Sequence, residues 1–505
     1  MKAKDPVRIC VPVCERSLEA LKESASLAAL EGELVELRLD CLSSDELRAA
    51  EKGLDSWLPT IASPVILTLR PLGQGGLRRL DQGFRFEFLN QRKGAAFLDI
   101  ELELGLWAEK HGGLDWSRII CSHHDFAAVP SDLEEIYGRM AATRAEILKI
   151  SVHPEDATDC IAVFRLLERA QKDGRKMIAI AMGPAGVLTR ILGPSRGSYL
   201  TYAPREDKGA TASGQIRAEV LKEMYRLEKI DLTTQITGVI GKPVGHSISP
   251  AIHNAALDAA GINGVYIPFE VGDIRAFIKR LVNPATRELS WNLRGLSVTA
   301  PHKSAVMELV EPDVDSREIG AVNTIVIDED NLKGYNTDGP ALVQPLIQRM
   351  GSLKGLRCAV IGAGGAARAA LWGLGREGAS TTVFARDITR AKPLAEIMRA
   401  DCKPLRQHSF AEFDIVINAT PLGTRGTLVE ETIAMASQLQ GARLAYDLVY
   451  NPSETRFLRE AREAGCETLG GLQMLIAQAA LQFKLWNGQN PALDAMTGAA
   501  TEALD

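Results

Sequence analysis

Eight short apolar runs punctuate the first 228 residues at even intervals, at residues 7–13, 34–40, 65–69, 97–102, 118–121, 147–152, 176–181 and 199–202. Between them lie stretches such as 155–173 and 214–226, whose apolar residues recur at three- and four-residue steps, the period of a helix. Eight strand–helix units in little more than 200 residues predict a (β/α)8 barrel at its compact end. A doubly wound sheet is the competing architecture, but such sheets rarely carry eight strands so evenly spaced.

At 505 residues the chain is too long for one core, and ordinary domain sizes predict about three units. The segment LEKIDLTTQITG (227–238) is short and polar and reads as a tether. Beyond it the alternation resumes with a different spacing, and CAVIG (358–362) runs into a Gly-rich turn and an Ala-rich helix, the entry to a nucleotide-binding unit. Apolar residues at 472, 475, 476, 479, 483 and 486 give one packed face to what is expected to be the final helix. The expected division is a barrel at 1–228, a linker at 229–237, a second lobe at 238–339 completed by 472–499, and a nucleotide-binding domain at 340–471.

The composition, 46% hydrophobic and 24% charged, is that of an ordinary globular protein. A formal charge of −6 is spread along the chain without a basic block, so nucleic acid and anionic membrane are not expected partners. No run reaches the roughly 18 apolar residues of a membrane span. The N-terminus enters a strand-like run within a few residues, leaving no room for a signal or transit peptide. Eight cysteines form no CxxC pair, and Cys10, Cys121 and Cys358 sit inside apolar runs. The expectation is a reduced, cytoplasmic protein without structural zinc.

In a barrel, chemistry belongs at the carboxyl ends of the strands. Glu36 and Arg38, Arg70, the HHD triplet at 123–125 and Lys149 all fall there. Lys149 interrupts an otherwise apolar strand, so it points into the barrel or its mouth, where desolvation favours the neutral amine that attacks a ketone. The plain alternative is a strand-end lysine reaching out to water, and His124 alone reads as structural.

The ordered set ELRLD, LRPLGQGG, SHHDF, ILKIS, GVLTR and TASGQI resembles the type I 3-dehydroquinate dehydratases across the whole first 228 residues. The resemblance implies Lys149 as the Schiff-base nucleophile and His124 as the general acid/base, oriented by Glu36. It places Arg190 on the substrate carboxylate, with Arg38, Arg70, Thr211 and Gln215 holding hydroxyls and the closing loop. It implies no metal. Where the family usually has a glutamate before the Gly-Gly pair, this chain has Gln74, a neutral amide.

In the second half, VIGKPVGHSISPAIHN (239–254) sets hydroxyls at a turn before a helix, which suits a carboxylate but also a simple capped turn. With GLSVTAPHK, GAVNTI and GYNTDG it resembles the substrate lobe of the shikimate dehydrogenases, and the likeness continues to the C-terminus. The resemblance assigns Ser247, Ser249 and Tyr450 to the substrate carboxylate, Thr299, Asn323 and Gln478 to ring hydroxyls, and Lys303 with Asp338 as the catalytic pair. Taken singly, Lys303 reads as a solvated turn lysine and Asp338 as a helix cap.

The turn Gly362, Ala363, Gly364, Gly365, Ala366 follows a strand and opens a helix, with the G-x-G-x-x-A spacing of a dinucleotide fold. The next strand ends at Arg386, with Arg390 one helical turn on, where an acidic residue would hold a ribose 2′-hydroxyl. Cations there favour a 2′-phosphate, so NADP is expected over NAD, against the neighbouring Asp387. Asn418 and Thr420, in NATPLG, are expected to line the cofactor cleft. The expected fold is therefore an N-terminal barrel fused to a two-lobed α/β dehydrogenase with a Rossmann-type domain. Its expected function is dehydration of 3-dehydroquinate followed by NADPH-dependent reduction to shikimate. The alternatives are a catabolic quinate/shikimate dehydrogenase, which needs NAD preference, and a ligand-binding regulator, which needs lost catalytic residues or an added segment.

Overall fold

The computed structural model describes residues 7–206, 209, 211–406 and 408–504; the first six residues of the expected barrel unit lie outside them. Three sheets form among the described residues. The first has strands β1 (Ile9–Val13), β2 (Leu34–Arg38), β3 (Val65–Thr68), β4 (Phe97–Glu101), β5 (Ile119–His124), β6 (Ile147–Val152), β7 (Lys176–Ala181) and β8 (Thr201–Tyr202). They pair parallel in the order β7-β6-β5-β4-β3-β2-β1-β8. A bridge between Met177 and Ser198, with Tyr199 N donating to Met177 O at 2.7 Å, closes the ring between β7 and β8. Each strand lies within an expected run except β5, which continues past Cys121 to carry both histidines.

The period of two along a strand explains where the chemistry sits. The inward residues Leu34, Ile66, Ile120, Ile147 and Ile178 form an apolar floor. Two residues on, the same strands present Glu36, Thr68, Ser122, Lys149 and Ile180, and two further on Arg38, Arg70, His124, Ser151 and Met182. The barrel is thus apolar at its base and charged at its carboxyl mouth.

The second sheet takes β9 (Gln235–Gly241), β10 (Gly264–Glu270), β11 (Leu293–Val298), β12 (Glu311–Pro312), β13 (Thr324–Asp328) and β14 (Asn331–Tyr335), in the order β10-β9-β11-β13-β14-β12. Its β13 runs antiparallel to β11 and β14. This lobe shares one continuous hydrophobic core with the barrel. Across that seam Asp156 Oδ2 accepts from Gly272 N at 2.6 Å and Arg165 pairs with Glu288 at 2.6 Å. The segment read as a tether is packed: Leu227, Ile230 and Thr234 are buried.

The third sheet is all parallel: β15 (Arg357–Ile361), β16 (Ser380–Ala385), β17 (Asp401–Pro404), β18 (Ile415–Asn418), β19 (Leu444–Asp447) and β20 (Glu467–Leu469), ordered β17-β16-β15-β18-β19-β20. That is the dinucleotide-binding order, with its switch point between β15 and β18. Helix Gly471–Asn487 then returns to pack on helix Asp338–Met350. Contrary to expectation, it is not the last helix. Leu493–Glu502 follows and lies against helix Ser249–Ala259, fixed by only Met496 and Ala500 as fully buried residues, too sparse an apolar pattern to announce itself.

The expectation that every cysteine is reduced is also corrected. Cys14 and Cys41 are disulfide-bonded, because they follow the adjacent strands β1 and β2 and so come together from 27 residues apart. Cys10, Cys121 and Cys358 are buried free thiols.

Candidate active sites

At the barrel mouth a small cavity of about 60 Å3 is lined by Glu36, Arg38, Arg70, His124, Lys149, Arg190, Thr211 and Gln215, the full set expected in this half. Lys149 Nζ donates to Asp99 Oδ2 at 2.8 Å and Tyr202 Oη at 2.9 Å, and lies 3.5 Å from Glu36 Oε1. Ser122 on β5 pairs with Lys149 on β6, and His124 with Ser151, so the histidine stands one inward layer above the lysine on the neighbouring strand.

Glu36 does not orient His124. Its Oε1 accepts from Thr68 Oγ1 at 2.7 Å and faces Lys149, because Glu36 belongs to the lower polar layer. His124 is instead anchored through its backbone N, which donates to Gln74 Oε1 at 3.0 Å, while its ring stacks near Phe126 and its buried Nδ1 has no partner among the described residues. Burial, then the neighbouring cations Arg70 and Lys149, hold this imidazole well below its ordinary range. It is neutral at pH 7, the form a general base needs.

Arg70 is less free than expected of a hydroxyl ligand. It bridges Asp99, Glu101 and Ser122 at 2.8–3.1 Å, completing a buried charge network. Arg38 forks onto Asp40 at 2.9 and 3.0 Å. Arg190 differs. Among the described residues its nearest acceptors are two carbonyls at 3.4 and 3.5 Å and its Nε has no partner, and burial pushes it down to about 10. A substrate carboxylate supplies what that guanidinium lacks. Gln215 Oε1 accepts from Thr211 N at 2.8 Å, tying the 211–215 loop over the mouth. Sequence reading missed Asp99 and Tyr202, although Asp99 interrupts an apolar strand just as Lys149 does.

In the second half, Ser247, Ser249, Thr299, Lys303, Asp338, Tyr450 and Gln478 line one cavity of about 370 Å3. Lys303 Nζ donates to Asp338 Oδ2 at 2.5 Å. Asn323, expected to touch a ring hydroxyl, stands just before β13: its Nδ2 donates to Asp338 Oδ1 at 2.8 Å and Thr337 Oγ1 at 2.9 Å, and lies 3.5 Å from Oε1 of Gln478, which lines the cavity. Each oxygen of Asp338 therefore has one fixed donor. Ser297 and Gln482 also line the cavity and went unread; Tyr266 Oη donates to Ser297 Oγ at 2.7 Å, which donates to Gln482 Oε1 at 2.8 Å.

The cavity opens, past Ala366 and Tyr450, into a space of about 800 Å3 lined also by Thr420. The Gly362–Ala366 turn flanks it. Gly362 has φ +124, and a Cβ there would lie 2.8 Å from Ala419 O; at Gly364 a Cβ would meet nothing within 4 Å, leaving the helix N-terminus at Gly365 open to an anion. Arg386 and Arg390 stand exposed past β16. Asp387 is occupied: its Oδ1 accepts from Thr389 N at 2.9 Å and caps the following helix. Asn418 folds its own turn, Oδ1 accepting from Thr420 N at 3.0 Å and Thr420 Oγ1 at 2.6 Å. These residues fit a dinucleotide with a 2′-phosphate.

Comparison with known proteins decides the family. Residues 9–231 match the type I 3-dehydroquinase model, 239–325 the shikimate dehydrogenase substrate binding domain, 350–457 an NAD(P)-binding domain and 471–501 the shikimate 5′-dehydrogenase C-terminal domain. The chloroplastic bifunctional 3-dehydroquinate dehydratase/shikimate dehydrogenase of Arabidopsis thaliana is 32% identical over 96% of this chain and 83% of its own. The chain belongs to this bifunctional dehydratase/dehydrogenase family.

The dehydrogenase half has separate relatives. A shikimate dehydrogenase (NADP(+)) of Caldanaerobacter subterraneus subsp. tengcongensis is 39% identical over 52% of this chain and 94% of its own. A crystal structure of a shikimate dehydrogenase in complex with NADP+ superposes with a TM-score of 0.51 at 36% identity, covering 55% of this chain and 98% of that one. No helix among the described residues of the bifunctional chain is long and apolar enough to cross a membrane.

Proposed function

We propose that this one chain dehydrates 3-dehydroquinate to 3-dehydroshikimate in its barrel and reduces that product to shikimate, with NADPH, in its second half: consecutive steps of the shikimate pathway towards chorismate and the aromatic amino acids. The observation that carries it is the pairing, within one family-wide match, of a barrel-interior lysine beside a neutral histidine with a lysine–aspartate pair in a two-lobed cleft.

In the barrel, Arg190 takes the substrate carboxylate. Lys149 Nζ adds to the ketone carbon as one of its protons passes to the ketone oxygen, and that oxygen, taking a second proton from the nitrogen, leaves as water to give the iminium. That iminium is the electron sink that lets His124 remove the neighbouring C2 proton, and the resulting imidazolium returns the proton to the departing hydroxyl. Hydrolysis of the iminium frees product and lysine, so the net change is loss of one water. Glu36 and Asp99 hold Lys149, Arg70 fixes Asp99, and Gln74 places His124.

In the second half Ser247, Ser249 and Tyr450 bind the carboxylate while Thr299 and Gln478 hold ring hydroxyls. The Gly362–Ala366 turn, Arg386, Arg390, Asn418 and Thr420 would hold NADPH, which supplies the hydride when bound. Lys303 donates a proton at the developing alkoxide oxygen, and Asp338, fixed by Asn323, keeps the ammonium aimed there.

The units we assign are residues 1–228, 238–339 with 472–499, and 340–471, joined at 229–237. The compartment we propose is the cytoplasm; six cysteines remain thiols, while the Cys14–Cys41 disulfide is of a kind uncommon there. Supplying the chain with 3-dehydroquinate and NADPH tests the whole reading: shikimate should accumulate as NADPH is consumed. Consumption only when 3-dehydroshikimate is supplied would remove the barrel reaction, and none with either would remove both.

A further inference from the structure

Asp447, at the end of β19, is fully buried, and among the described residues no cation pairs with it. Its Oδ1 accepts from Asn418 Nδ2 at 2.9 Å and Val449 N at 3.0 Å, and its Oδ2 from Thr455 Oγ1 at 2.5 Å. These donors belong to three segments. Asn418 begins the cofactor-side turn, and the bond to Asp447 fixes its amide so that Oδ1 faces Thr420 and Nδ2 also reaches Leu422 O at 3.1 Å. Val449 precedes Tyr450, and its carbonyl receives Gly471 N at the start of the helix that carries Gln478. Thr455 caps helix Arg456–Glu463.

We propose that ionised Asp447 is a positioning residue of the reduction step, holding the Asn418–Leu422 turn and the Val449–Tyr450 segment in register so that cofactor and substrate meet. This rests on the dehydrogenase reading of the second half. Burial pushes the Asp447 carboxyl up to about 6, against the three hydrogen bonds. The charged groups of the surrounding segments are engaged elsewhere or exposed: Arg456 with Glu460, Arg459 with Glu430, Arg462 with Glu454, Arg425 and Glu431 towards solvent, and the Tyr450 phenol at the substrate cavity. A raised carboxyl lends the fold most stability when protonated and loses that contribution as pH rises through about 6, so at neutral pH the charge is kept at a cost to the fold. Charge-assisted bonds to Asn418 and Val449 are stronger than neutral ones, and those two donors lead to the site.

Asp447→Asn keeps the shape and an acceptor while removing the charge. In the full chain the KM for NADPH should rise about tenfold at pH 8, with kcat less affected and the melting temperature unchanged or higher. Towards pH 5 the ratio of variant to parent KM should fall to one, as the parent protonates. The 2′-phosphate titrates in the same window, but equally in both proteins, so the ratio isolates Asp447. A ratio near one at every pH would overturn the proposal. Should the variant not fold, the KM of the parent for NADH, which lacks that phosphate, decides: it should climb below about pH 6, and a flat profile overturns the assignment. A parent that reduces no 3-dehydroshikimate at any pH would instead unseat the dehydrogenase reading itself.

Discussion

Lys149 and Asp99 meet inside the barrel with Nζ 2.8 Å from Oδ2, both side chains almost wholly buried, and the same carboxylate is gripped by Arg70. Burial alone would raise the Asp99 carboxyl; Arg70 and then Lys149 more than reverse this and hold it well below the usual range. One anion thus stores the nucleophile as an ammonium and shares the load of two cations until substrate arrives.

Asp99→Asn should destabilise the barrel by about 3–5 kcal/mol, because it leaves two buried cations short of a partner. A unit of this size should then melt roughly 10 °C lower. A lowered carboxyl contributes stability above its unfolded value near about 4 and loses it as pH falls. The gap between variant and parent should therefore narrow in acid. Equal melting curves at pH 7 would show that the pair contributes nothing.

Neutral His124 predicts a dehydratase that stays active on the acid side. Its imidazole is held low by burial and by Arg70 and Lys149, so the base form persists to lower pH than that of an ordinary histidine. Gln74→Glu would put an anion beside the histidine, favour the imidazolium, and move the acid limb of kcat/KM upward by about one pH unit. Rate profiles of both proteins check this; coincident limbs would mean that Gln74 acts only through the His124 backbone.

Most of the barrel was readable because the period of two survives in each strand, and Lys149 stood out as the charge in ILKIS. Asp99 in FLDIE broke the same rule and was passed over, since its partner lies 50 residues away across the barrel. Glu36 differs from expectation for a related reason: a motif places a polar residue near a site, but which layer of a barrel it faces depends on strand register. Cys14 and Cys41 likewise share no motif and meet only through the pairing of β1 with β2.

That disulfide makes a simple prediction. Thiol titration of the unfolded, unreduced chain should find six groups, and eight after reduction. Closing a loop of this length should also stabilise the barrel by about 3–4 kcal/mol, so reductant should lower its melting temperature. Eight thiols without reductant would show the pair open in solution.

For the reduction step, Lys303→Ala should lower kcat by roughly a hundredfold or more while leaving the KM for substrate within a few fold, because proton donation is needed only as the alkoxide forms. Asn323→Asp should behave similarly. It replaces the donor to Asp338 Oδ1 with a like charge and so pulls the pair out of line. A rise in KM at constant kcat for either variant would make these residues binding groups.

Cofactor choice is the last point, and it turns on which charges past β16 are free. Asp387 sits beside Arg386 in sequence, where it could oppose a 2′-phosphate, yet its carboxylate is committed to Thr389 at the start of the next helix. Among the described residues no hydrogen bond or ion pair commits the Arg386 side chain, whereas Arg390 acts on Asp387 through its backbone N–H and its charge. Arg386→Ala should therefore raise the KM for NADPH about tenfold and leave that for NADH unchanged. Asp387→Ala should cost about 1 kcal/mol of helix cap without improving the use of NADPH. Cofactor kinetics and melting on both variants separate the outcomes. Equal losses with both cofactors would show that Arg386 supports the loop rather than reading the phosphate, and a gain for NADPH in Asp387→Ala would return the aspartate to the pocket.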